Sequence, residues 1–253
     1  MEAGRLAALV TGGSRGVGAA TARELAEVGY DVVLTYRNKV ARAEQVASAI
    51  AARGQRALPL QCDITQAADR ERLVAALRAW TDHLDLLVLN ASGGLERDLL
   101  AADPEYPLRI NREAQVALLD AVLPLLRVGA TVVFVTSHWA HRYGRVAQFP
   151  AYEPIAASKH AGEAALRARA ATLAAEGVRL LVVAGDLIAG TITAKLLERA
   201  APGLAAGRRG EVGPLPTPAD LGVAIVAAAT DPTLPSGHTI VVGGSLDSLP
   251  PLA

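Results

Sequence analysis

Short apolar runs recur along this chain with longer helix-patterned segments between them, and that alternation constrains the fold more than any other feature. The runs are LAALV (6–10), DVVLTY (31–36), RALPLQCD (56–63), LDLLVLNA (84–91), GATVVFVTS (129–137), RLLVVAG (179–185) and TIVVGGS (239–245). Most are apolar almost throughout rather than at alternate positions, the pattern of a strand covered on both faces. The intervening segments, such as KVARAEQVASAIAARG and QAADRERLVAALRAW, carry apolar residues at helical spacing, and Gly54 ends the first of them. Such alternation predicts an α/β chain: one doubly wound parallel sheet of about seven strands with helices on both faces. Residues 106–126 and 154–177 read as single helices between the later strands. With no repeat and no break in composition, 1–253 reads as one domain. Residues 186–218, with one helical stretch TITAKLLERA among Gly, Pro and Arg, read as a mobile lid.

A chain of 253 residues is long enough to bury a sizeable core. Its 25 basic and 25 acidic residues cancel, so no net charge draws it to nucleic acid or to an anionic membrane. The one cysteine, Cys62, excludes a disulfide within the chain and a cysteine-based metal site. MEAGRLAALV lacks the basic-then-apolar pattern of a signal peptide. No uncharged apolar run approaches the roughly 20 residues a membrane span needs. The expectation is a cytoplasmic protein without metal.

Chemistry enters at TGGSRGVG (11–18), placed between the first strand run and the first helix. Gly12, Gly16 and Gly18 there allow a tight turn and a Cβ-free approach of pyrophosphate to the positive end of the helix. An NAD site usually ends its second strand on Asp or Glu, which accepts from the ribose 2′-hydroxyl. This chain reads LTYRNK instead, with Arg37 available to a 2′-phosphate and Arg15 as a second contact. The pattern favours NADP(H) over NAD(H).

In this order the motifs resemble the short-chain dehydrogenase/reductase family, in particular its compact 3-oxoacyl-carrier-protein reductase members. TGGSRGVG is similar to the family's TGxxxGxG loop, and CDIT places Asp63 where the family has an adenine-contacting Asp. LNASGG resembles the family's N-N-A-G segment, with Leu89 replacing the first Asn. Asn111 matches the helix Asn that holds a relay water, and VVFVTS ends on Ser137, where the family keeps its catalytic serine. TPADLGVAIVAAATDPTLPSGHTIVVGGS is similar to the family's C-terminal tail. The resemblance implies a Rossmann fold. It also implies cofactor contacts at Gly12, Ser14, Arg15, Gly16, Val17, Gly18, Arg37, Asn38, Asp63, Ile64, Asn90, Ala91, Ser92, Lys159 and Leu187. Homodimers or homotetramers through the helices at 105–126 and 154–176 are implied as well.

The family's mechanism needs Tyr-x-x-x-Lys on one helix. Residues four apart share a face, so the ammonium lowers the phenol's pKa. The phenol then protonates the carbonyl oxygen as hydride arrives, and the serine hydroxyl holds that oxygen. In IAASK the lysine is Lys159, but the tyrosine position holds Ile155, which has no proton to give. Tyr152 lies three residues earlier, about 60° away in azimuth and about 4.5 Å in rise along a helix. Pro154 suits the first helical position, which puts Tyr152 just before the helix and free of that azimuth. Tyr152 therefore reads as a displaced acid or as an aromatic packed at a helix entrance. His138, His141 and Tyr143 are other candidate acids; two histidines three apart with no carboxylate in reach make a poor metal site. After the sixth strand, the family's Pro-Gly is replaced by Ala184-Gly185, followed by Asp186, and Thr191 and Thr193 come late. Asp186 either faces the cofactor or caps the lid helix. Arg199, Arg208 and Arg209 read as solvated charges or as contacts for an acidic or phosphopantetheinyl substrate.

Two functions are compatible with these residues. One is an NADPH-dependent oxidoreductase acting on a small-molecule carbonyl or alcohol, with Asn111, Ser137, Tyr152 and Lys159 as its catalytic set. The other is a dinucleotide-binding protein of the same fold without hydride transfer, in a regulatory or non-redox role such as dehydration or cyclisation. A phenol within reach of both Lys159 and Ser137 would separate them.

Overall fold

The computed structural model describes residues 4–95 and 97–252. Seven parallel strands form one sheet: β1 Leu6–Val10, β2 Tyr30–Tyr36, β3 Ala57–Gln61, β4 Leu84–Leu89, β5 Leu126–Ser137, β6 Arg179–Gly185 and β7 Thr239–Val242. Their order across the sheet is β3-β2-β1-β4-β5-β6-β7. The helices are α1 Gly16–Glu27, α2 Val40–Ala51, α3 Ala67–Trp80, α4 Arg97–Ala102, α5 Tyr106–Leu108, α6 Ala114–Val122, α7 His138–His141, α8 Glu153–Arg167, α9 Ala170–Ala175, α10 Ile192–Ala200, α11 Leu204–Val212 and α12 Pro218–Thr230.

The continuous apolar runs are explained by burial on both faces of the sheet. Leu9, Leu87, Val132 and Phe134 pack with Leu77 of α3, Leu118 of α6 and Leu166 of α8. Their strand neighbours Val10, Leu86 and Val133 pack on the opposite face with Leu25 of α1, Ile50 of α2 and Ile225 of α12. Every second residue thus serves the other layer. The chain builds outward from β1 to β3, then returns to place β4 beside β1, so the connections leaving these two strands diverge. A crevice opens at such a reversal, beyond the carboxyl ends of the strands.

Three sequence expectations change. The segment 106–126 is not one helix: α5 gives way to a π-helical turn at Arg109–Glu113 before α6, and β5 already begins at Leu126. The segment 154–177 divides into α8 and α9. Residues 186–218 hold two helices, α10 and α11, rather than one, because LAAGRRGEV forms α11 despite Gly207 and Gly210. Packing supplies what these two glycines lack in intrinsic helix propensity: Leu204, Ala205 and Val212 join a third apolar cluster with Trp139, Tyr152, Ile155 and Leu197. Among the described residues no helix is long and apolar enough to cross a membrane.

Candidate active site

The crevice is a cleft of about 590 Å³ running from the β1–α1 loop to the lid. Every residue assigned to the cofactor from sequence lines it except Gly18, which stands behind the loop. A Cβ at Gly18 would lie 2.4 Å from the Gly12 carbonyl oxygen and 2.5 Å from Asn90 Nδ2, so this position closes the packing of loop against strand. Gly12 and Gly16 adopt φ of 66° and 55°, the left-handed region open to glycine. Asn90 Nδ2 donates to Thr11 O at 2.8 Å, and Thr11 Oγ1 accepts from the backbone of Asn90 and Ala91, both at 2.9 Å. The loop is thereby tied to the end of β4. Arg15 precedes α1 in extended backbone and no side chain caps the helix, leaving its first-turn N–H groups for an anion.

At the far end, Arg37 follows β2 and donates from Nη1 to the Tyr106 hydroxyl at 2.7 Å, bridging the two walls. Lys39 and Arg42 line the same end and were missed in the sequence. The signal was present, since positions 39 and 42 lie one helical turn apart at the start of α2. Asp63 Oδ1 accepts from the Thr65 backbone at 3.0 Å and from Thr65 Oγ1 at 2.7 Å, which fixes the turn after β3. Beside it, burial pushes the Cys62 thiol up to about 12, so it stays protonated. Glycine turn, open helix terminus and cationic far end together fit a dinucleotide.

The head of the cleft departs from the Tyr-x-x-x-Lys arrangement. Tyr152 sits one residue before α8, and its hydroxyl donates to Ser137 Oγ at 3.0 Å. Ser137 ends β5, and its Oγ also accepts from Ala140 N at 3.1 Å, capping α7. Ile155 is buried in the cleft wall, against Gly94 and Pro107. Lys159 does not meet the phenol: Nζ donates to Val135 O at 3.0 Å, and burial lowers its pKa to about 8. The expected lowering of the phenol by the ammonium is therefore replaced by its opposite. Burial raises the Tyr152 pKa, with the Ser137 hydrogen bond opposing. Asn111 lies in the π-helical turn behind the cleft wall. Its Oδ1 accepts from Ser92 Oγ at 2.9 Å, and its Nδ2 donates to Gly93 O and Ser158 Oγ, both at 3.0 Å.

The other candidates are engaged elsewhere. Asp186 lines the cleft but does not cap the helix that follows; Thr191 is the cap of α10. The Asp186 carboxylate accepts from Arg208 Nε at 3.0 Å and Nη2 at 2.8 Å, and from the Leu187 backbone at 2.6 Å. Burial would raise this carboxyl, yet Arg208 and His138, whose Nδ1 is 3.6 Å away, hold it well below the usual carboxylate range. Arg208 is accordingly neither solvated nor free for substrate. His141 Nδ1 lies 2.9 Å from Glu163, so both histidines do have a carboxylate nearby, each a different one. Among the described residues no group of three or more His, Cys, Asp or Glu could hold a metal ion. Tyr143 packs against His160 with ring centroids 5.9 Å apart and does not line the cleft.

Residues 6–201 match the family model described as short chain dehydrogenase. The chain belongs to the short-chain dehydrogenase/reductase family. Among its relatives is the hydroxynaphthalene reductase-like protein Arp2 of Metarhizium robertsii, 32% identical over 159 residues. That match takes in 62% of this chain and 58% of the relative's length. The chain also superposes on a short chain dehydrogenase from Burkholderia cenocepacia J2315 in complex with NADP, with TM-score 0.80, 26% identity and 96% and 100% of the two chains covered. A 3-oxoacyl-[acyl-carrier protein] reductase from Brucella melitensis in complex with NAD gives TM-score 0.79 and 25% identity, covering 95% and 96%.

Proposed function

We propose that this oxidoreductase is an NADPH-dependent carbonyl reductase in which Tyr152, acting with Ser137, replaces the missing phenol at position 155. The observation that carries the reading is the 3.0 Å hydrogen bond between the two hydroxyls in the cleft wall. Ser137 Oγ already accepts two bonds, so its own O–H is the group left to meet a carbonyl oxygen. When bound, the nicotinamide supplies the hydride to the carbonyl carbon. The oxygen then takes a proton from the hydroxyl pair, with the phenol as final source, and the raised Tyr152 pKa keeps that source protonated at neutral pH. Lys159 uses one of its N–H groups on Val135 and retains two for the cofactor ribose. Arg15, Arg37, Lys39 and Arg42 line the far end, and no carboxylate closes β2, which supports a 2′-phosphate.

The test is NADPH oxidation against a panel of ketones. Tyr152→Phe should lower kcat by about 10²- to 10⁴-fold, the range for general acid catalysis, with NADPH affinity unchanged. Full turnover in Tyr152→Phe sinks the mechanism. A second reading, binding without hydride transfer, is favoured by Lys159, which turns to Val135 and leaves the phenol unassisted. A protein of that kind binds NADPH and consumes none with any ketone.

A further inference from the structure

We propose that the head of the cleft takes a neutral, flat aromatic carbonyl compound, with Phe149 as the face on which its ring lies. The proposal rests on the reductase reading of that site. Asp186 and Arg208 form a buried ion pair, and the Arg208 guanidinium carbon stands 5.2 Å from the centroid of the Trp139 ring. The Trp139 ring is in turn 5.0 Å from that of Phe149, tilted by 44°. Asp186, Arg208 and Trp139 are buried, the first and last of them at the cleft wall, whereas Phe149, which also lines the cleft, is only partly buried. The four side chains therefore form a stack that begins with a neutralised charge and ends on an accessible aromatic face.

Arg208 is the backing of the wall and not a contact for an acidic or phosphopantetheinyl substrate. Arg199 and Arg209 do not line the cleft, and Lys195 lines it only from an exposed, hydrated position on α10. In the same cleft, Ile155 presents hydrocarbon where the family pattern has a phenol, and Leu187 and Leu197 continue the apolar lining. With Arg208 paired to Asp186, and Lys159 bonded to Val135 and otherwise committed to the cofactor ribose, an anion seated against this surface loses its hydration without a free buried cation in return. A neutral aromatic ring gains a tilted or offset contact with Phe149 beyond the value of its buried area.

Protein loaded with NADP⁺, which cannot reduce a ketone, is titrated by calorimetry with 2-tetralone, with its saturated counterpart 2-decalone, and with 2-naphthoate. The unaltered protein should bind 2-tetralone about threefold to tenfold more tightly than 2-decalone. Phe149→Leu should remove that preference while NADP⁺ affinity is unchanged. Equal affinity for the two ketones in the unaltered protein, tighter binding of 2-naphthoate than of 2-tetralone, or no binding of either ketone overturns the proposal. So does a preference that survives Phe149→Leu. Preference for 2-tetralone without NADPH oxidation leaves the ligand class standing and removes the reductase reading. Oxidation of NADPH by aliphatic ketones alone, without the aromatic preference, does the reverse.

Discussion

At the glycine-loop end of the cleft, where phosphate binding is proposed, the wall is shaped mostly by backbone, set by Gly12, Gly16 and Gly18 between β1 and α1. At the head they are side chains, gathered from the end of β5, the turn before α8, and α8 itself. A site made of backbone depends on contiguous residues, because only one local path gives that turn and that helix terminus. Side chains can reach the same point in space from several places in the chain. The glycine loop of this chain keeps the family pattern, whereas the head has Ile155 where that pattern has a phenol and carries a phenol at 152 instead, on a different backbone position.

The largest effect expected at the head comes from its ion pair. Arg208→Ala leaves Asp186 buried and unpaired, and should cost about 3–5 kcal/mol of stability by denaturant unfolding. A loss below about 1 kcal/mol, the scale of a surface pair, would show that the aromatic wall is held by something else.

Lys159 sharpens the contrast through pH. Its folded pKa of about 8 lies below the ordinary 10.5. Under pH 8 the folded state buries a charge that the unfolded chain keeps in water, which is destabilising. Between about 8 and 10.5 the folded state has released its proton and the unfolded chain has not, so stability rises with pH. Relative to Lys159→Met, the unaltered protein should gain about 3 kcal/mol across that window. A flat difference would mean that Lys159 is solvated and not a wall residue.

At the phosphate end the limits are steric. The Cβ of Gly18→Ala would meet the Gly12 carbonyl and Asn90 Nδ2, and overpacking of this kind costs about 1–3 kcal/mol. NADPH binding should fall with it, measured by titration of the folded protein. Unchanged melting and binding would mean that the loop has more freedom than its contacts with β4 suggest. The smallest effect is at the far end, where Arg37→Ala should weaken NADPH about tenfold, one charge-assisted contact, and leave NADH unaffected. Equal losses for both would make Arg37 a brace for Tyr106 rather than a phosphate ligand.

Much of this molecule is legible in its sequence. The seven strands stand close to the apolar runs, because burial on both faces writes itself as continuous hydrophobicity. The positions of Gly12, Gly16, Arg37 and Asp63 in the cleft follow from their places at strand ends. Helix breaks were harder to see. The π-helical turn at Arg109–Glu113 holds Asn111 by bonds to Ser92, Gly93 and Ser158, and none of those partners is marked in the helix's own pattern. Likewise α11 forms where its glycines argue against a helix, because the third apolar cluster receives it.

The sequence by itself determined the sheet, the glycine turn between β1 and α1 and the absence of a phenol at position 155, since each depends on residues adjacent in the chain. Only the tertiary structure decided that Tyr152 meets Ser137, 15 residues away, and that Arg208 pairs with Asp186, 22 residues away. It also decided that Lys159 turns to Val135. Those contacts join separate elements, and their geometry depends on how loops and lid pack over the sheet, which no local pattern encodes.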